Sequence, residues 1–172
     1  TGYLHNHARM WFASIWIFTL GLPWRLGADY FYRHLIDGDA AANTLGWRWV
    51  AGLHTRGKPY PARADNIATF TNGRFTPRAA DFAEVTEGLE ATEPEGLPPV
   101  QPLRPVLAPQ AARPTLLLIT DEDCRVEDFD HSALDIRAVV ALRSSHLRSS
   151  LPVSEAVHQF EAGALADAAE RL

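Results

Sequence analysis

The sequence predicts a mainly α-helical unit over residues 1–80, an acidic and then proline-rich linker over residues 81–114, and a small α/β unit over residues 115–172. Three observations support this division. All five tryptophans lie in the first 49 residues, among apolar residues with helical spacing. Seven prolines lie between residues 94 and 114, and proline fixes φ and removes a backbone donor. Two short apolar runs and a helical pattern follow this segment.

The first segment, residues 5–20, is predicted to be a buried helix. It is apolar from Met10 to Leu22 except at Ser14, Thr19 and Gly21. Gly21 and Pro23 end it, since glycine and proline are common just after a helix. The apolar run is shorter than the roughly 20 residues that cross a bilayer, so we expect no membrane span.

A second helix is predicted over residues 26–36, because Tyr30, Phe31, His34 and Leu35 have spacings of one, three and four. The triplet at residues 37–39 ends it. A third helix is predicted to begin at Asn43 or Thr44 and to run to about residue 53. Residues 57–78 are predicted to be a loop with short helical turns, because they contain several Gly, Pro and Asn residues.

The last part of the chain is predicted to contain two buried strands, over residues 115–119 and 136–142, and a helix capped by Ser154. Two strands and a helix resemble part of an open α/β sheet. The residues predicted to share the buried face of this helix are Val157, Phe160, Ala164, Leu165, Ala168 and Leu172.

Charge is distributed unevenly along the chain. Residues 1–80 have nine basic and four acidic side chains, a net charge of +5, and residues 81–172 have a net charge of −10. The first part could therefore meet a polyanion, although two independently soluble surfaces explain the charges equally well. The single cysteine, Cys124, excludes an internal disulfide and favours a cytoplasmic location. Because Thr1 leads directly into a helical pattern, we expect the natural N-terminus to lie upstream.

Candidate site residues fall into clusters with helical spacing. Asn6, Arg9 and Met10 project from one side of the first helix. An arginine in an apolar, buried helix needs an anionic partner, and the Asp37/Asp39 pair is the natural candidate. Further along, Asn43 and Trp47 are four residues apart and share a helical face. On spacing alone, a helical core with one buried ion pair and aromatic filler remains an alternative.

Three segments carry a resemblance to a known family. They read TGYLHNHARM at residues 1–10, PWRLG at residues 23–27, and LIDGDAAAN at residues 35–43 with GWRW at residues 46–49. In this order and spacing they resemble the FAD-binding catalytic domain of the DNA photolyase/cryptochrome family, over about residues 1–75. The resemblance implies a partial photolyase-type helical domain.

The resemblance implies an FAD site. The residues that it implies for the cofactor are Asn6, Arg9, Asp37, Gly38, Asp39 and Asn43. Arg9 would pair with Asp37 beside the isoalloxazine ring, Asp39 would bond the pyrimidine edge of that ring, and Asn43 would face its nitrogen 5. Trp47 would be the nearest electron donor and Trp24 the next, with a third tryptophan upstream of Thr1.

The resemblance also implies a substrate, UV-damaged DNA with a flipped pyrimidine dimer. The residues implied to line the substrate cavity are Asn6, His7, Met10 and Trp49. The implied reaction is light-driven repair of cyclobutane dimers by electron transfer from reduced FAD. Histidines are absent at Asn6 and Met10, which disfavours a (6-4) photolyase. Met10 also disfavours a DASH-type cryptochrome, since it stands where glutamine is usual.

Two departures from the family pattern keep other functions open. Tyr3 replaces the commoner tryptophan, and His7 replaces an arginine that helps to grip DNA. A blue-light photoreceptor and a flavin-less helical interaction module therefore remain alternatives. Because the family binds the FAD phosphates and adenine through upstream residues, we expect residues 1–172 alone to bind FAD weakly. We further expect a monomer, a solvated acidic loop rather than a metal site at residues 121–123, an inert Cys124 and a structural His5.

Overall fold

A computed structural model describes residues 2–85, 87–91, 99–108 and 110–172. Within these residues there are five α-helices and one two-stranded parallel sheet. The helices are α1 (Asn6–Ser14), α2 (Trp24–His34), α3 (Ala40–Val50), α4 (Ala64–Phe70) and α5 (Glu155–Glu170), and the strands are β1 (Pro114–Thr120) and β2 (Asp135–Leu142). The predicted order of elements, helices first and an α/β part last, is therefore confirmed.

The first predicted helix is present, but its second half is a π-helix. Helix α1 begins after His5, whose Nδ1 accepts from the His7 amide at 3.3 Å. The chain then continues as a π-helical segment over Ile15–Thr19, in which the Leu20 amide donates to the Ile15 carbonyl at 2.9 Å. A π turn contains one residue more than an α turn, so the side chains after Ser14 leave the face that α1 would have given them.

Helix α3 begins earlier than predicted. The triplet at residues 37–39 ends α2 as expected, but Asp39 also caps the next helix, since its Oδ1 accepts from the Ala42 amide at 2.6 Å. An aspartate at this position satisfies an amide that has no partner within the helix. Helix α3 therefore begins at Ala40 and not at Asn43 or Thr44, and it ends at Val50, before the predicted residue 53.

The helical core lies where α1, α2 and α3 meet. Its largest member is Trp47, whose side chain is almost fully buried. Partly buried side chains that pack against this core include Leu4, Met10, Trp16 and Trp24. The other buried core residues are Ala13, Ile17, Ala28, Phe31, Leu35, Val50, Ala51 and Leu53. The predicted clustering of aromatic residues thus gives an aromatic core, to which the three helices contribute.

Both predicted strands are present and pair in parallel, with one register shift between Thr115 and Leu116. Helix α5 covers one face of the sheet, where Ile119 is fully buried against Val126 and Leu165. The other face carries apolar side chains that are 41 to 58% exposed. These exposed side chains are Leu116, Leu118, Val140 and Leu142.

The predicted buried face of α5 is correct in part. Val157, Leu165 and Ala168 are buried, but Phe160 and Leu172 are about half exposed. The prediction for Phe160 was wrong because α5 packs on a sheet of only two strands, which covers a narrow stripe of the helix. The prediction for Leu172 was wrong because α5 ends at Glu170, before this residue. Ser154 precedes the helix but forms no side-chain cap hydrogen bond.

A carboxylate, Glu161, occupies the buried stripe of α5 instead, at 2% exposure. Its Oε1 accepts from the amides of Ser144 and Ser145 at 2.6 and 2.8 Å, and its Oε2 accepts from the Ser145 hydroxyl at 2.6 Å. Burial raises the pKa of Glu161, but the hydrogen bonds from Ser145 and Ser144 outweigh this effect, so that the net pKa lies below its ordinary value. Glu161 thus holds the segment that follows β2, at Ser144 and Ser145, against α5.

The acidic loop after β1 is not uniformly solvated. Glu122 and Asp123 are exposed, as predicted, but the Asp121 side chain is only 12% exposed and pairs with Arg148. Within the described residues, no group of three or more His, Cys, Asp or Glu side chains is placed to hold a metal ion. Burial raises the pKa of the neighbouring Cys124 thiol, which keeps it protonated and unreactive near neutral pH.

Apart from Asp81, which ends a 3-10 turn, and Pro114, which begins β1, the described part of the predicted linker has no helix or strand. Over residues 99–108, the apolar side chains of Val100, Leu103, Val106 and Leu107 are 87% or more exposed. The parts of the predicted linker at residues 86, 92–98 and 109 lie outside the described residues. Within the predicted linker, the Leu89 amide donates to the Ala51 carbonyl at 2.8 Å, so the boundary at residue 80 stays a prediction.

No helix in the described ranges combines the length and the apolar character that crossing a membrane requires.

The buried Glu161 leads to a prediction about pH. Because its pKa is lowered in the folded chain, its stabilising effect is present above the ordinary value of 4.5 and is lost as the pH falls through the folded pKa. We expect Glu161→Gln to lower the free energy of unfolding by about 1 to 3 kcal/mol at pH 7. The difference from wild type should shrink below about pH 4.5. Urea denaturation over a pH series measures both quantities.

The control is Glu170→Gln, at an exposed position near the end of the same helix. It should change the free energy of unfolding by less than about 0.5 kcal/mol at every pH. An equal loss in the two variants, or a Glu161→Gln deficit that grows on acidification, would contradict the assigned role of Glu161.

Candidate functional site

A cavity of about 560 Å³ lies between α1, the turn at residues 36–39 and α3. Its walls include all of the sequence-predicted site residues except His7 and Trp24. The predicted residues that line it are Asn6, Arg9, Met10, Asp37, Gly38, Asp39, Asn43, Trp47 and Trp49. Residues from three separate sequence segments therefore share one hollow, of a volume typical for a small-molecule site.

The predicted pair between Arg9 and Asp37 is present at the rim of this cavity. Nη2 of Arg9 donates to both carboxylate oxygens of Asp37, at 2.7 and 2.9 Å, and Nε donates to the Leu4 carbonyl at 2.7 Å. The pair is not buried as the sequence suggested, since the Arg9 and Asp37 side chains are 26 and 43% exposed. The ring of Tyr3, which stands where the family commonly has tryptophan, lies 5.4 Å from the Arg9 guanidinium carbon.

The turn that carries Asp37 also positions Asp39. The two carboxylates flank Gly38, whose amide donates to the Leu35 carbonyl at 3.1 Å. Asp37 points its charge at Arg9 on α1, whereas Asp39 caps α3. One three-residue turn therefore fixes two carboxylates at the cavity wall and joins three helices.

Asn43 lies in the wall between α2 and α3. Its Nδ2 donates to the Ala28 carbonyl of α2 at 2.8 Å, in a partly buried position. This hydrogen bond sets the plane of the side-chain amide without adding a charge. Asn43 is thus held by the scaffold, as a residue that orients a bound group must be.

Trp47 closes the floor of the cavity and has a donor without a partner. Its ring is 5.1 Å from that of Phe31 and 6.3 Å from those of Phe12 and Trp16, all in edge-on contacts. The indole Nε1 is buried and forms no hydrogen bond within the described chain. Buried donors usually have a partner, so this nitrogen can accommodate an acceptor supplied by a bound molecule.

The structure places His7 and Trp24 away from the cavity. The His7 ring contacts that of Phe70 at 4.4 Å and stacks on Trp11 at 5.9 Å, towards α4. Trp24 lies on the opposite side of Asn43, where its ring faces Arg25 and Arg48. Among the described residues, no direct ring contact joins Trp24 to Trp47, and the role of Trp24 as the next electron donor stays a prediction.

The sequence analysis missed three residues around Trp47. Trp16 contacts both Trp47 and Tyr30, with ring centres 6.3 and 6.4 Å apart, and Phe31 lines the cavity itself. Gly27 lets α2 approach α3, because a Cβ atom at this position would overlap the indole of Trp47. The four-residue spacing between Phe12 and Trp16 could have indicated that their side chains lie close together. The role of Gly27 could not be predicted from the sequence, because it depends on how α2 and α3 pack.

The family model for the FAD-binding domain of DNA photolyase matches residues 1–79. Residues 1–79, called the photolyase-family region below, are therefore similar to that domain. This photolyase-family region contains α1 to α4 and the whole of the cavity described above.

Curated relatives resemble the same region. The chain is 50% identical over 60 residues to the deoxyribodipyrimidine photo-lyase of Salmonella typhimurium, covering 35% of this chain and 13% of that protein. It is 50% identical over 78 residues to the photo-lyase of Streptomyces griseus, covering 38% of this chain and 17% of that protein. The chain thus spans less than a fifth of the length of these relatives. No solved structure matches the chain.

The cavity fits the flavin ring of FAD by its own chemistry. Its wall includes the largely buried indole of Trp47, whose Nε1 donor has no partner within the described residues, and the Arg9 cation held by Asp37. An isoalloxazine ring has apolar faces and a polar edge with acceptors, which these groups complement. FAD is the cofactor of the matched domain, and the cavity-lining residues that would hold its ring are Arg9, Asp37, Asp39, Asn43 and Trp47.

The contact between Gly27 and Trp47 leads to a prediction about stability. We expect Gly27→Ala to lower the free energy of unfolding by about 2 to 3 kcal/mol, because the added methyl group forces the indole or α2 to move. Gly163→Ala is the matched control, since its Cβ would meet nothing within 4 Å. In the interior of α5 it should raise the free energy of unfolding by about 0.5 to 1 kcal/mol. Equal effects of the two substitutions in urea denaturation would contradict the packing described.

Proposed function

We propose that residues 1–79 form the ring-binding part of an FAD site, and that the protein carrying them repairs cyclobutane pyrimidine dimers in DNA under light. The observation that carries this proposal is the convergence of Arg9, Asp37, Asn43 and Trp47 on one cavity. Residues 37, 43 and 47 lie in the segments that resemble the family most specifically. The names of the relatives support the same reaction, cleavage of a pyrimidine dimer by a photo-lyase.

The protein groups would act on the cofactor through fixed charges and dipoles. Bound FAD supplies the light-driven electron for the reaction. Arg9, held in place by Asp37 and the Leu4 carbonyl, provides a positive charge that stabilises negative charge in the cavity. Asn43 offers an uncharged amide, and Trp47 excludes water from the floor of the cavity.

The substrate side of the proposal rests on the outer part of the same cavity. Trp49 lies at its wall with 39% of its surface exposed and contacts Tyr60 at a ring distance of 5.4 Å. An exposed aromatic face next to a cavity can stack on a flipped base. The net charge of +5 over residues 1–80 favours contact with the DNA backbone. We further propose that the protein acts as a monomer in the cytoplasm.

One observation favours a second candidate, a blue-light photoreceptor that uses the same flavin. His7 packs against Phe70 and Trp11 and not towards the cavity, so the position where the family pattern has an arginine presents no side chain to DNA in the cavity. A photoreceptor would keep flavin binding and photoreduction but would not repair a dimer. The flavin-less helical module would show neither the yellow colour nor flavin photochemistry.

The first test concerns the flavin ring. The residues of the described cavity would bind the flavin ring and not the phosphates. We therefore expect residues 1–172 to bind riboflavin and FAD weakly, with dissociation constants within about fivefold of each other. Trp47→Phe should weaken both by about tenfold, since it removes the buried indole donor and part of the floor. Flavin fluorescence titration measures the dissociation constants.

Trp11→Phe is the control for this test, because Trp11 bonds Asn66 outside the cavity. Its affinity for riboflavin should equal that of wild type. If FAD bound a hundredfold more tightly than riboflavin, or if Trp11→Phe and Trp47→Phe had the same effect, the assignment of this cavity to the flavin ring would be wrong.

The second test concerns the substrate. In the FAD-loaded protein we expect Trp49→Ala to weaken binding of an oligonucleotide with one thymine dimer by about tenfold, because a stacking surface is lost. Phe75→Ala, at an exposed ring outside the cavity, should leave it unchanged. Blue light should restore intact thymines, measured by their ultraviolet absorbance. Photoreduction of the flavin without any restored thymine would favour the photoreceptor.

A further inference from the structure

The guanidinium of Arg148 lies at the boundary between the α/β unit and the photolyase-family region. Arg148 follows β2 after a single 3-10 turn over Ser145–Leu147. Its Nη1 donates to the carbonyls of Leu35 and Tyr32, at 3.2 and 3.3 Å. Tyr32 lies in the last turn of α2, and Leu35 is the C-cap residue that follows the helix. A side chain that lies more than a hundred residues away in sequence thus binds the C-terminus of α2.

Arg148 is held in this position by the α/β unit. Its Nη2 pairs with Oδ2 of Asp121 at 3.2 Å, and the side chains are only 8 and 12% exposed. The other oxygen of Asp121 accepts from the Ser144 hydroxyl at 3.1 Å, and the Tyr32 ring lies 5.1 Å from the guanidinium carbon. A buried arginine with several defined partners has little freedom to move.

The last carbonyls of a helix have no partner within the helix, and they attract a cation. The neighbouring Gly38 makes room for this cation, because a Cβ at that position would lie 2.9 Å from Nη1 of Arg148. The Gly38 amide also donates to the same Leu35 carbonyl that Arg148 binds. The Leu35 carbonyl therefore accepts hydrogen bonds both from the Arg148 cation and from the turn at residues 37–39.

A second set of contacts joins the two parts of the chain independently of Arg148. The Ser154 amide donates to the Arg33 carbonyl at 2.9 Å, and Nη1 of Arg33 donates to the Pro152 carbonyl at 2.8 Å. These contacts lie on the approach to α5, at the other side of the α2 terminus. Loss of Arg148 should therefore change the turn locally and leave the α/β unit in contact with α2.

We propose that Arg148 is a positioning residue for the cavity: from the α/β unit it fixes the turn that places Asp37 and Asp39. Asp121 orients Arg148, Arg148 orients the Leu35 carbonyl and the Gly38 amide, and these set the two carboxylates against α1 and α3. The consequence for flavin binding rests on the proposed function, whereas the consequence for the turn does not.

The first experiment measures hydrogen exchange of the whole chain without flavin. Arg148→Met removes the charge with little loss of volume, and we expect the amides of Gly38 and Ala42 to exchange about tenfold faster. Amides in the middle of α1 should be unchanged. Arg148→Lys keeps the charge beside Asp121 but not the fork of donors, so it should restore these rates in part. Arg125→Met, at a cation that is 77% exposed, should have no effect.

The second experiment measures linkage between the two parts with riboflavin as the probe. Coupling between sites is reciprocal, so riboflavin should slow exchange of the Ser145 and Arg148 amides in wild type. In Arg148→Met this slowing should disappear, and the dissociation constant for riboflavin should rise by about fivefold.

The two experiments separate the possible failures. If wild type bound no riboflavin, the proposed function would fail, but the exchange rates of Gly38 and Ala42 would still decide the role of Arg148. Wild-type rates at these amides in Arg148→Met would overturn the positioning role. If Arg148→Met did not fold, Arg148→Lys would decide, and wild-type exchange at both amides together with undiminished linkage in that variant would overturn it.

Discussion

The turn at residues 37–39 is the constraint on which the cavity depends. Two carboxylates flank one glycine, and each is used by a different helix: Asp37 binds Arg9 of α1, and Asp39 caps α3. The glycine between them lies against the end of α2, where a side chain would collide with Arg148. Three helices therefore meet at a segment of three residues. The same contacts that hold these helices together also build the cavity wall.

Most of the fold was predictable because its signals are local. The pattern of apolar residues indicated both strands and every helix except α4, which lies in a segment predicted to be a loop with short helical turns. The prolines marked a segment that is largely without regular structure in its described part. The start of α3 was missed because Asp39 was interpreted only as a helix breaker, although aspartate is also a preferred cap. Phe160 and Leu172 were placed in the core of the α/β unit because periodicity does not reveal how wide a surface the helix packs against.

The candidate site was predictable to the extent that it lies within short motifs. The clusters around Arg9, Asp37 and Asn43 were recognised from spacing and resemblance, and the structure brings them to one cavity. Contacts between distant segments had no such signal. The indole of Trp47 against Gly27, the carboxylate of Glu161 under the Ser144 and Ser145 amides, and Arg148 at the end of α2 all depend on packing between elements far apart in sequence.

The open face of the small sheet has a consequence for handling the chain. Purely parallel sheets are normally covered on both sides, but here Leu116, Leu118, Val140 and Leu142 form an apolar surface on the side opposite α5. Salts that strengthen the hydrophobic effect, such as sulfate, should promote self-association through this surface, and mild detergent should oppose it. Colloidal behaviour in solution will thus be governed by the α/β unit, while the photochemistry proposed above resides in the first part of the chain.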